Sequence, residues 1–233
     1  MTTNNYVIYS DYGQVLASKG LFDEGIENVR RAVAINPEWI QGREKLANVL
    51  QGKGLDAEAA AEFELVLRIK PDKIDTRNNF AVALVNIKQY DKAIEQFTRV
   101  LTEDPKRVRA LNNLYKAGVE SGKLDKVQDV ILGLQIKDPN NFEFYQKAGL
   151  IYGIQGNMDA AIVQLEKACR LSNYQTTEPM GFLSQAYAAK KDFIRAADMA
   201  QKAIEVAQKE NRDDIVAQLK ASLESYQRTM KGN

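Results

Sequence analysis

The residues able to do covalent or acid–base chemistry are few. Histidine is absent from the 233 residues, which removes Ser-His-Asp triads, imidazole acid–base catalysis and His-ligated zinc together. The single cysteine, Cys169, permits no intramolecular disulfide and reads as a small packing residue within a helix. The stretch QGKGLDA sets Gly52, Gly54 and Ala57 in a dinucleotide-type G-x-G-x-x-A spacing. That fingerprint requires a strand entering the turn and a helix N-terminus facing the phosphate. Here a helix-like run precedes it, and Gly54 stands where a phosphate loop after Gly52-Lys53 needs Ser or Thr. Asp213-Asp214 and Glu103-Asp104 are adjacent carboxylates, and adjacent residues on a helix do not face each other. No metal-ligand cluster, nucleophile elbow or N-x-[ST] acceptor occurs. The expectation is a non-enzyme with no catalytic residue, metal or cofactor.

Charge narrows the partners. Lys and Arg total 32 against 31 Asp and Glu, a net charge of +1. Residues 1–107 carry 15 basic and 16 acidic side chains and residues 108–233 carry 17 and 15, so neither part has the basic excess of a nucleic-acid binder. The apolar run FAVALV at 80–85 is far short of the ~18–20 residues that span a bilayer, so no membrane insertion is expected. MTTNNYV lacks a basic region followed by an apolar core, the mark of a secretory signal. A lone cysteine suits the cytoplasm, the favoured compartment, and is compatible with the periplasm if the chain is excised from a membrane protein.

The elements that would position any binding residue follow a fixed period. Pro37, Pro71, Pro105 and Pro139 are each 34 residues apart, as are Leu46, Phe80 and Leu114. Apolar residues recur at helical spacing before each turn, as in Phe80, Leu84 and Ile87. Gly20, Gly54, Gly122 and Gly156 share a turn column and suit a helix stop. Asp23, Asp91, Asp125 and Asp159 share the next and read as N-caps. Small residues (Ala47, Ala81 and Gly149; Ala59, Ala93 and Ala161) alternate with large ones such as Phe63 and Phe97, as interdigitating helices require. The period predicts an all-α, right-handed superhelical solenoid of six helix-turn-helix units at 6–39, 40–73, 74–107, 108–141, 142–175 and 177–210. A capping helix at about 212–230 closes this single array.

This pattern resembles the tetratricopeptide repeat family, whose 34-residue unit is a helix–turn–helix; the third repeat supplies Phe80-Ala81, Leu84, Tyr90, Ala93, Phe97 and Pro105. Repeat four departs from it, with Tyr115 where its neighbours have Ala, Gly118 where they have Leu or Tyr, and Val127 and Leu134 in place of small residues. Altered packing is expected there. Repeat five has Asn173 in place of the closing proline, and Pro179 fits a first helical turn. The last helices loosely resemble C-terminal repeat regions of bacterial membrane glycosyltransferase-like proteins.

The resemblance implies a concave wall made by the first helices, which in the family commonly holds peptides. It assigns a polar column of Asp11, Lys45, Asn79, Asn113 and Lys147, with Asn48 and Lys116 in the neighbouring column and Arg109 one turn before Asn113. Asparagine amides donate and accept together, so spaced amides can hold an extended backbone without reading its sequence. The family's two-carboxylate clamp is matched at Asn48, Asn79 and Arg109 but not at Glu44 and Asn113, which replace basic residues. The leading expectation is a scaffold binding an extended, neutral to acidic protein segment at Lys45, Asn48, Asn79, Arg109, Asn113, Lys116 and Lys147. Two alternatives stand beside it: homo-oligomerisation through an apolar first-helix edge at Tyr6, Val7, Tyr9 and Tyr12, and a docking region of a larger, membrane-bound enzyme. That edge is also explained by a chain cut from a longer protein, or by simple tolerance of exposed apolar residues.

Overall fold

The computed structural model describes residues 5–232; residues 1–4, read above as part of a terminus without a secretory signal, lie outside the described residues. Among the described residues thirteen helices follow one another: α1 (Asn5–Ser18), α2 (Phe22–Ile35), α3 (Ile40–Gly52), α4 (Asp56–Ile69), α5 (Ile74–Asn86), α6 (Tyr90–Glu103), α7 (Val108–Ser121), α8 (Leu124–Lys137), α9 (Phe142–Ile154), α10 (Met158–Leu171), α11 (Thr177–Ala189), α12 (Phe193–Lys209) and α13 (Asp213–Lys231). Among the described residues there is no strand, and no helix is long and apolar enough to cross a membrane. The all-α helical-repeat fold expected from the period is the fold that forms. The chain divides into two compact units, Met1–Lys123 and Leu124–Asn233.

In the first unit the fully buried side chains include Phe63, Phe97, Leu50, Ile94, Leu101 and Leu114. The small-residue columns lie where helices cross: Ala47, Ala59, Ala81 and Ala93 have no exposed surface at all. In the second unit Met180, Leu183, Ala196, Ala203 and Ile204 form one cluster with Val216 and Leu219 of α13, while Ile215, Leu223 and Tyr226 pack on its margin. Helix α13 therefore packs on the cluster through one apolar stripe. Pro37, Pro71, Pro105 and Pro139 each follow a second helix by two residues, where a missing N–H can do no harm to the ladder.

The first helix of each pair ends in the same turn. Its closing residue is left-handed, with φ of 83° at Gly20, 84° at Gly54, 71° at Gly122 and 79° at Gly156. The next N–H reaches back to the carbonyl five residues earlier, as in Leu21→Leu16 (3.0 Å) and Leu55→Leu50 (2.9 Å), which satisfies carbonyls the helix leaves orphaned. Lys88 and Lys191 take the same position with φ of 60° and 62° despite their side chains.

This turn overturns the capping role expected of the aspartate column. The N-caps are Leu21, Gln89 and Asn157, and Asp23, Asp91 and Asp159 come two residues after them, inside the helix. The left-handed residue brings the chain into the helical conformation early, so each aspartate lies in the first turn, where the macrodipole favours an anion. Its carboxylate instead accepts from the end of the following repeat's first helix. Lys53 donates to Asp23, Lys123 to Asp91, Gln155 to Asp125 (2.7 Å) and Lys190 to Asp159 (3.0 Å), while in repeat two, where Ala57 fills the column, Asn86 donates to the preceding Asp56 (3.0 Å).

Cys169 is fully buried, in agreement with the packing role read from the sequence. Burial, followed by the nearby Glu166 carboxylate, pushes its thiol up to about 12.

Two outcomes follow for stability. Because Lys88 holds a left-handed conformation that glycine adopts freely, Lys88→Gly should raise stability by about 0.5–1 kcal/mol, whereas Gly54→Ala should lower it by about 1 kcal/mol. Urea midpoints at constant slope would measure both, and a destabilised Lys88→Gly would refute the strain argument. For Cys169, reaction with a disulfide reagent at pH 8 should be at least about tenfold slower in native than in urea-unfolded protein. An unfolded thiol ionises near pH ~8.5, so this residue's contribution to stability is intact below that pH. It is lost as the pH rises toward about 12.

Candidate functional site

A groove of about 640 Å³ opens on the first unit between α3, α5 and the start of α7. Glu44, Lys45, Asn48, Thr76, Asn79 and Arg107 line it. Positions 44, 45 and 48 lie one helical turn apart on α3 and so share a face. Asn79 occupies in α5 the place that Lys45 holds in α3, 34 residues earlier.

Amides meet at the centre of the wall. The Asn79 Nδ2 donates to Asn48 Oδ1 at 3.2 Å, and Gln51 Nε2 donates to the Asn79 carbonyl at 3.2 Å, holding the α5 backbone from α3. The 48–79 bond uses one N–H of one amide and one lone pair of the other. The exposed Asn48 amide retains its own two N–H groups for a ligand.

Most charged groups of the groove are already paired, with one another or with carboxylates just outside it. Glu44 accepts from Lys73 Nζ at 3.0 Å and from the Thr76 hydroxyl. Arg107 pairs with Asp75 at 2.5 Å and with Asp104 at 2.9 Å, and the bond from Asp75 raises its pKa further. Lys45 pairs with Asp11 at 2.5 Å and stands 5.7 Å from the centre of the Trp39 ring. The lining thus carries three carboxylates, Glu44, Asp72 and Asp75, and three cations, Lys45, Lys73 and Arg107. A formally neutral groove does not attract an acidic ligand as strongly as the cations alone suggested. Glu44, which breaks the clamp pattern in the sequence, is engaged by Lys73 and Thr76.

The structure brings Lys45, Asn48 and Asn79 into this groove. Arg109, Asn113 and Lys116 lie on α7 outside its lining. Arg109 is exposed, Asn113 half-buried, and Lys116 stands 3.6 Å from Glu120. Lys147 belongs to the second unit, on α9; burial lowers its ammonium pKa against the raising influence of Glu143 and Glu178. Sequence reasoning missed Lys73, Thr76 and Arg107. A signal was present, since Lys73 and Arg107 are themselves 34 apart, one residue before a first helix.

The apolar edge expected at Tyr6, Val7, Tyr9 and Tyr12 is narrower than anticipated. Tyr6 meets the Trp39 ring edge-on, with centroids 4.8 Å apart, Tyr9 lies under the Arg31 guanidinium at 4.3 Å, and Val7 is half-buried. Only Tyr12 of the four is exposed, and it falls in a stripe with Ile8 and Val15. Intramolecular ring contacts to residues 33 and 22 positions away withdraw Tyr6 and Tyr9 from that surface.

Comparison with known proteins now adds to this geometry. Residues 74–107 and 142–174 match the family model described as tetratricopeptide repeat. No curated protein matches the sequence. Among solved structures, MamA superposes with a TM-score of 0.60 at 21% identity, covering 75% of this chain and 95% of that one. A tetratricopeptide repeat protein from Parabacteroides merdae ATCC 43184 gives 0.51 at 19%, covering 94% and 85%. YrrB, described as a TPR protein with an unusual peptide-binding site, gives 0.54 at 21%, covering 78% and 90%. At these identities the likeness is one of fold. Two stretches of this all-α chain of paired helices thus match the tetratricopeptide repeat model, and the chain shares the fold of solved tetratricopeptide repeat proteins.

Proposed function

We propose that this protein is a non-enzymatic interaction scaffold whose first-unit groove holds an extended segment of a partner protein. The observation that carries this reading is the Asn79–Asn48 amide pair, set at 3.2 Å in a groove whose three cations are already paired. A peptide backbone alternates N–H and C=O, and amides answer both. A neutral segment fits best, since an acidic one would compete with Glu44, Asp75 and Asp11 for their cations. Arg109, Asn113 and Lys116 extend the proposed surface along α7. That the solved relative YrrB is described as having a peptide-binding site supports the class of ligand.

A second reading, self-association, is favoured by the exposed stripe on α1, where Ile8, Tyr12 and Val15 are 66%, 54% and 50% exposed at i, i+4 and i+7 on one helix face.

For the groove, proteins captured from cell extract by wild type should be tiled as short peptides and titrated against Asn48→Ala and Asn79→Ala. Each substitution should weaken the binding peptide by about 1–3 kcal/mol, because a polar partner is left unmatched, with the melting temperature unchanged. Equal affinity for wild type and the double variant would remove the groove assignment. For self-association, sedimentation should show larger species at higher protein concentration, abolished by Ile8→Lys with Tyr12→Lys. A monomer at every concentration eliminates that second reading.

A further inference from the structure

The second unit holds a hollow of about 260 Å³ between α9, α10 and α11. Leu150 and Ile154 line it from α9, Met158 and Leu165 from α10, and Phe182 from α11. Among the described residues of its lining none is ionisable, and Gln185 alone has a polar side chain. An apolar lining with one placed polar group is the make-up of a small-molecule site, and the size lies near the lower end of their range, roughly 300–1,000 Å³.

The hollow exists because a side chain that other repeats supply is missing. Gly153 stands in α9 where Gln51 stands in α3, each one residue before the helix end. Phe182 stands in α11 where Asn79 stands in α5, each five residues after the helix start. In the first unit Gln51 bridges these two places, donating to the Asn79 carbonyl at 3.2 Å. Val85 and Val119 hold the same column in repeats three and four. A Cβ on Gly153 would meet nothing within 4 Å, and its φ is not positive. Neither packing nor backbone conformation therefore calls for glycine, which weakens a helix. Gly149, one turn earlier, differs: a Cβ there would stand 2.6 Å from Leu165.

The lining sets the chemistry of the occupant. An apolar cavity of ~150 Å³ stays dry and takes benzene, so about 260 Å³ admits an apolar group of about eight to ten carbons. The charges around the hollow are engaged elsewhere. Asp159, beside Met158, pairs with Lys190, beside Ala189, at 2.9 Å. Glu166, beside Leu165, accepts from the Tyr187 hydroxyl at 2.5 Å and stands 3.6 Å from Arg170. Lys167 stands 5.8 Å from the centre of the Tyr145 ring, and Lys147 feels Glu143 and Glu178. Lys191 is exposed, two residues beyond Ala189. A charged head would find no counter-charge in the lining, whereas the Gln185 amide both donates to and accepts from an uncharged one.

We propose that this hollow binds a small neutral amphiphile, its alkyl chain against Leu150, Ile154, Met158 and Phe182 and its one hydroxyl or amide at Gln185. The site is distinct from the Asn48–Asn79 groove and does not depend on its assignment.

The test titrates nitrogen-15-labelled protein with 1-alkanols from butanol to decanol and follows the amide shifts. Octanamide, octanoate and octylammonium serve as comparison probes. Shifts should gather on α9, α10 and α11. Affinity should rise about fourfold for each added methylene, the burial of one CH₂, and level off once the hollow is full. 1-Octanol and octanamide should bind at least about tenfold more tightly than octanoate or octylammonium, whose charges would leave water unpaired. Gly153→Leu and Ala189→Leu fill the hollow from opposite walls, and the amide spectrum of each reports that the fold is kept. Each should weaken 1-octanol at least about tenfold, and Gln185→Ala should weaken it several-fold. No saturable binding of any alkanol, affinity that climbs through 1-decanol without levelling, equal binding to both filled variants, or octanoate binding more tightly than 1-octanol would overturn the proposal. A dimer in sedimentation that Gly153→Leu disrupts would assign the hollow to a second copy and overturn it as well.

Discussion

Gly13 of α1 and Gly25 of α2 cross so closely that a Cβ on Gly13 would stand 2.6 Å from the Gly25 carbonyl oxygen, and one on Gly25 would stand 2.7 Å from that of Gly13. Later pairs relax this to alanine, at Ala47, Ala59, Ala81 and Ala93, all without exposed surface. Approach at these crossings sets how closely the first and second helices of one repeat pack, and so where the following repeat is seated. That spacing in turn decides which side chains of one repeat can reach the next. The Asn79–Asn48 bond, the Gln51 bond to the Asn79 carbonyl and the Lys73–Glu44 pair all span neighbouring repeats. A larger side chain at a crossing would separate the helices and part those pairs without touching any of them.

Much of the fold is legible in the sequence because its determinants are local or strictly periodic. Prolines, turn glycines and small residues report backbone constraints that act wherever they occur, and the 34-residue spacing multiplies the signal. The aspartate column shows where local reading fails. An Asp before a helical run looks like a cap, yet the left-handed turn shifts it into the helix and gives it a partner about 30 residues away. The groove is obscured for the same reason. Asn48 and Asn79 stand out as polar residues on first helices, whereas Lys73, Thr76 and Arg107 acquire their roles only by reaching across repeats. Tyr6 and Tyr9 likewise look sticky until Trp39 and Arg31 are placed beside them.

The two units offer complementary chemistry within one fold. The first presents the Asn48–Asn79 amides among paired ions; the second presents a hollow lined by Leu150, Ile154, Met158 and Phe182. Both rest on helix pairs of the same kind, and the difference lies in what each first helix displays: Asn48 and Asn79 in one, Leu150, Gly153 and Phe182 in the other.

The contacts joining each second-helix aspartate to the next repeat also form a sequence of their own. The donors run Lys53, Asn86, Lys123, Gln155, Lys190, alternately ammonium and amide. Mobile ions screen the attraction of an exposed charge pair over about 8–10 Å at ordinary ionic strength, and they act less on an amide donor, which bears no net charge. Added electrolyte therefore loosens alternate rungs of this ladder. The result is a graded compliance, in which neighbouring repeats hold their mutual positions with unequal firmness as the ionic medium changes.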